Sequence, residues 1–152
     1  MTVVRSRRPG LLVLLTLLIV FALNRCRTAD PLSLLSVPAG NPCAANPNPP
    51  PNSHAPIICI DDRTMPPLIV RPDPANAYRS TVIQWWTVTG QPILSIGFDS
   101  PSPVGYIACL PDKGYCRSMV SPSASGTHKY TVTVTHGDKV ATLVPTIIID
   151  TN

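Results

Sequence analysis

Between Lys129 and Thr135 the chain reads KYTVTVT, with Tyr130, Val132 and Val134 at alternate positions and Lys129, Thr131, Thr133 and Thr135 between them. Successive strand side chains point to opposite faces, so this spacing predicts a half-buried strand with one wet face. Similar short β-rich runs, punctuated by Pro, Gly, Asp and Ser, recur from Pro56 onward. They predict strands near 57–60, 68–71, 81–89, 93–98, 105–109, 115–119, 129–135 and 140–149. The turn HGDK joins the last two, and Pro145 marks a bulge or an edge position before the apolar run that follows. No helical period separates these segments. The fold class expected is all-β, a single antiparallel β-sandwich over residues 56–152.

Trp85 and Trp86 stand mid-strand in VIQWWTV and therefore point to opposite faces. One belongs to the core. The other is either capped by a loop or exposed as an aromatic contact for a carbohydrate or a partner surface, so the pair Trp85 and Trp86 is the candidate contact.

Ahead of the strands the pattern changes twice. Residues 1–10 carry three arginines, and residues 11–23, LLVLLTLLIVFAL, are apolar apart from Thr16. As a helix they would cover ~20 Å of a ~30 Å hydrocarbon core. Residues 1–29 thus read as a signal peptide, or as an uncleaved N-terminal anchor attaching the protein to a membrane through residues 11–23, because NRCRTAD lacks a clean small-x-small cleavage site. Cys26 follows the apolar run as in lipoprotein signals, but Arg25 occupies the place of their small residue. Residues 30–55 form a Pro-rich linker, with eight prolines between positions 31 and 56, and read as a semi-rigid tether.

With Cys26 set aside, Cys43, Cys59, Cys109 and Cys116 make an even set in an exported chain, which implies two disulfides. Of three pairings, Cys109–Cys116 is preferred because Pro111, Asp112 and Gly114 signal a turn between them, and Cys43–Cys59 then follows. Loop-closure entropy gives roughly 2.5 and roughly 3 kcal/mol for the two.

The formal charge of +4 belongs mostly to the leader. From Asp30 onward seven basic residues face eight aspartates, a net charge of −1, and the chain has no Glu. No electrostatic footprint for nucleic acid remains.

The Pro-rich lead, IICID, IQWWTVTG, the Cys hairpin and SGTHKYTVTV together resemble a group of uncharacterised small exported proteobacterial β-sandwich domains. They are also similar to immunoglobulin-like and cupredoxin-like sandwiches in general. The cupredoxin resemblance implies a copper centre, for which Cys116, Met119, His128 and His136 are the candidates. A disulfide at Cys116 would remove its thiolate, and His128 and His136 lie ~26 Å apart along a straight strand. No cofactor or metal site is therefore expected.

Catalytic motifs are missing from the sequence. Asp61-Asp62 is the one paired carboxylate, suited to a turn or cap, and His54 falls in the tether. The expectation is a periplasmic or secreted, non-catalytic binding or assembly module for an unknown protein or glycan. The alternative is a cupredoxin-descended metal-handling or redox protein with an incomplete ligand set.

Overall fold

The computed structural model describes residues 39–50 and 56–151. The segment 11–23, Cys26 and His54 lie outside the described residues. Ten strands form two sheets: β1 Ile57–Asp61, β2 Ile69–Arg71, β3 Ala75–Tyr78, β4 Val82–Thr87, β5 Ile93–Phe98, β6 Ala108–Leu110, β7 Tyr115–Met119, β8 Gly126–His136, β9 Lys139–Leu143 and β10 Thr146–Asp150. Sheet one has the order β2-β1-β4-β7-β6. Sheet two runs β3-β10-β8-β5, with β9 also paired to β8.

The all-β sandwich stands, but its sheets are mixed where an antiparallel arrangement was expected: β1 lies parallel to β4, and β3 parallel to β10. The segments β4-β7-β6 and β10-β8-β5 reproduce the B-E-D and G-F-C orders of an immunoglobulin-type sandwich. The additions are β1, inserted beside β4, and a strand that leaves sheet one after β2, turns at Pro72–Pro74 and joins sheet two as β3.

Pro145 splits the last expected strand into β9 and β10 without breaking its register. Partners run from His136 with Lys139 to Gly126 with Ile149 in one unslipped ladder, and Tyr130 N donates to Pro145 O at 3.1 Å across the gap. Proline removes the amide donor but keeps the acceptor, so half of the hydrogen-bonded pair survives.

The core between the sheets is built on Ile58, Ile60, Ile83, Trp85, Val132, Val134, Ile147 and Ile149. Trp85 meets Tyr130 and Phe98 edge-on at 6.0 and 6.4 Å between centroids, a favoured aromatic geometry. A second apolar cluster, Cys43, Cys59, Trp86, Val88 and Tyr115, lies on the outer side of sheet one. Its cover is α1, Pro42–Ala45, N-capped by Asn41, whose side-chain oxygen accepts from Cys43 N. The strand β4 is thus covered on both faces.

Candidate functional site

Because β1 and β4 run parallel, both end at the same pole of the sandwich, where the chain must turn back. The β4–β5 loop, the β6–β7 turn and the β8–β9 turn gather there with the β1–β2 loop. Three groups fix this pole. Thr87 N donates to Gly114 O at 2.9 Å, and the Asn41 side-chain amide donates to Thr87 O at 2.7 Å. Gly114 sits at φ 57°, and a Cβ added there would stand 2.6 Å from Gln91 O and collide with the Thr87 hydroxyl, so only glycine closes the turn against the β4–β5 loop.

The third group is Asp62. Its carboxylate is fully buried, accepts hydrogen bonds from Thr89 N at 3.0 Å and from the Thr89 hydroxyl, and lies 3.8 Å from His136 Nδ1. One side chain just past the end of β1 therefore ties the β4–β5 loop to the end of β8, across the two sheets. Asp61 is engaged separately: it accepts from Arg63 Nε at 2.9 Å and Arg63 Nη2 at 2.7 Å, which holds its carboxyl below the usual aspartate range. The adjacent carboxylates point apart and serve as structural acceptors.

Between α1 and these loops lies a cleft of about 560 Å³. Its apolar floor comes from Trp86, Val88 and Ala44, and its rim from Gly90, Asp112 and Lys113. This volume falls in the range of small-ligand sites, ~300–1,000 Å³. The Cys43–Cys59 disulfide fixes the wall, since Cys59 belongs to β1 and Cys43 to α1.

The sequence-derived residues are distributed as follows. Cys43 is bonded to Cys59 and Cys109 to Cys116, the latter pair directly opposed on β6 and β7. Trp85 is 0% and Trp86 2% exposed. Neither tryptophan is an exposed contact, because the residues stapled by Cys43 cover the outer one, which contributes to the cleft floor instead. The four copper candidates are not brought together. Cys116 is in a disulfide on sheet one, and Met119 ends β7 with its side chain exposed, while His128 and His136 lie at opposite ends of β8. His128 Nε2 is 3.0 Å from Ser125 O. Among the described residues no group of three or more His, Cys, Asp or Glu could hold a metal ion, and no helix is long and apolar enough to cross a membrane.

Sequence reading missed the cleft and the Asp62–Thr89 lock. The cleft forms from segments some seventy residues apart, and a motif has no way to announce that. The traces of it were Gly90, Gly114 and the doubled aspartate.

No family model and no curated protein matches the chain. A solved structure, the cysteine protease inhibitor EhICP2 from Entamoeba histolytica, overlaps 65% of this chain and 100% of its own at 12% identity, with a TM-score of 0.35. A likeness of that size carries no inference about activity.

Proposed function

We propose that this chain is an exported, non-catalytic binding module that engages a segment of a partner protein at the cleft between α1 and the β4–β5 and β6–β7 turns. The observation that carries the reading is the cleft itself: an apolar floor, a rim bearing Asp112 and Lys113, and walls held by a disulfide and a buried carboxylate. Such a site is set before the ligand arrives, which lowers the ordering cost of binding. An apolar floor beside a rim turn that carries both an acid and a base, Asp112 and Lys113, suits side chains of a peptide. Glycan sites rely on an aromatic face open to stack on a sugar, and the indole of Trp86 is nearly enclosed. The carboxylate Asp62 is committed to Thr89 and Asp61 to Arg63, which leaves no free paired acid for general acid–base work. Two disulfides fit an oxidising compartment outside the cytoplasm, and the leader at residues 1–29 supports export to the periplasm or beyond, with attachment to the inner membrane if the leader is retained.

The test screens the full chain against a random heptapeptide display library and a panel of bacterial surface oligosaccharides. Peptide binders are expected whose affinity falls about tenfold or more in Ala44→Arg, which fills the cleft, and in Lys113→Glu, with no change in Ser123→Arg at the opposite pole. Recovery of glycan binders alone, or of peptides indifferent to the cleft variants, overturns the proposal.

A further inference from the structure

At the loop pole, Nδ1 of His136 is buried and makes no hydrogen bond. The ring ends β8 with 41% of its side chain exposed, so water reaches part of the imidazole while Nδ1 stands 3.8 Å from Oδ2 of the fully buried Asp62. That same oxygen accepts from the Thr89 hydroxyl, and Oδ1 accepts from Thr89 N at 3.0 Å. Thr89 in turn lines the cleft, next to Val88 of its floor, whose N donates to Ile60 O at 2.9 Å. A titratable ring, a buried carboxylate and one wall of the cleft are thus linked in series.

The other charges around this series come from four segments. Arg63, in the β1–β2 loop, is paired with Asp61 and also acts on Asp62. On β9, Lys139 is the register partner of His136, with its Nζ 3.5 Å from Met65 O, and Asp138 occupies the turn between them. Asp112 and Lys113 sit on the cleft rim in the β6–β7 turn. Residues 88–92 of the β4–β5 loop carry no ionisable side chain. Aspartate, lysine and arginine ordinarily hold one charge between pH 5 and 8, the interval in which an imidazole changes its own.

We propose that His136 is a positioning residue through which pH regulates the cleft, an inference that rests on the reading of the cleft as a peptide site. An imidazolium carries a proton on both ring nitrogens, so the charged ring turns an N–H toward Asp62 Oδ2. It holds the carboxylate in the place from which both oxygens serve Thr89, and charge-assisted contacts of this kind are the strong ones. The neutral ring offers no such charge, and the wall at Thr89 opens more often. The firm state of the wall is therefore the acidic one and is lost as pH rises and the ring gives up its proton.

Hydrogen exchange of the full chain tests the coupling without any ligand. Protection of the Thr89 amide, taken relative to its intrinsic exchange rate at each pH, is expected to be about fivefold greater at pH 5 than at pH 8. His136→Gln removes that dependence. Asp62→Asn keeps an acceptor for Thr89 N and also loses the dependence, whereas His128→Gln, at the other end of β8, leaves it unchanged. A heptapeptide without His, recovered from the display screen, is expected to bind the wild type about fivefold more tightly at pH 5 and to bind His136→Gln equally at both pH values. Thr89 protection that is flat with pH, or a pH dependence that survives in His136→Gln, overturns the proposal. So does a peptide indifferent to pH in the wild type, which leaves the peptide site itself standing. A screen without cleft-dependent peptides removes the site and this regulation of it together, even where Thr89 protection follows His136.

Discussion

Asp62 joins two segments that the sequence leaves far apart, Thr89 in the β4–β5 loop and His136 at the end of β8. Its desolvation is offset by the hydrogen bonds it accepts from Thr89, by the neighbouring His136 and by the charge of Arg63. Asp62→Ala leaves the Thr89 amide without an acceptor and is expected to cost about 2–3 kcal/mol in chemical denaturation, in line with bonds to a charged group. It should also loosen the β4–β5 loop, read as faster hydrogen exchange at Thr89. Asp61 gives a pH signature with the opposite geometry. The guanidinium of Arg63 lowers its folded pKa, so its contribution is present above the ordinary aspartate value of ~3.9 and is lost as pH falls through the depressed folded value. In a carboxyl NMR titration, Arg63→Ala should return Asp61 towards ~3.9. At the alkaline side, burial raises the pKa of Tyr130 far above the tyrosine norm, which the Trp85 indole only partly offsets. The unfolded chain ionises first, so stability is full below pH ~10 and declines above it. Tyr130→Phe should flatten that alkaline decline. At this scale the sequence was informative about residue type and not about partner: the doubled aspartate marked a turn, but nothing local pointed to Thr89, twenty-seven residues on.

Among the elements, the ones that could be read were those whose pattern is set by burial on one face. The alternation in β8 located a wet strand and its hairpin partner because Tyr130, Val132 and Val134 are all enclosed while Lys129 and Thr131 are exposed. β3 was missed. Its sequence, ANAY, is short and polar and follows Pro-Asp-Pro, so it looks like a loop, and only its parallel pairing with β10 makes it a strand. β4 shows the limit of the one-face rule. A strand covered on both sides buries both tryptophans, and no alternation distinguishes core from contact. Truncation separates the two layers: Trp85→Ala, in the main core, is expected to cost about 3–5 kcal/mol, whereas Trp86→Ala should cost less and leave near-UV signals of the Tyr130 and Phe98 pair intact. The β6–β7 turn is equally specific. Gly114→Ala should destabilise the fold and displace the β4–β5 loop, because the added Cβ meets backbone on one side and Thr87 on the other.

At the scale of the molecule, a two-sheet β-sandwich carries a strand inserted beside β4 and a short N-terminal cover, and that cover, with β4 and the β4–β5 and β6–β7 turns, lines the cleft. The four paired cysteines were legible from their number and spacing. What the staple does was not, because residues 30–55 read as a tether, yet Cys43 is fully buried against Trp86 and Tyr115. Proline density describes the backbone and is silent on where a single stapled residue docks. The disulfide therefore has a local role beyond the roughly 3 kcal/mol expected from loop closure, since it holds one wall of the proposed site. The most direct measurement of this account is acrylamide quenching of Trp86 in the full chain bearing Trp85→Phe, purified without reductant and compared with the same protein carrying Cys43→Ser and Cys59→Ser. The account predicts an indole shielded severalfold relative to free tryptophan while the bond is intact, and opened to quencher when it is removed. An indole freely quenched in the disulfide-bonded protein, or equally shielded without the bond, would contradict it.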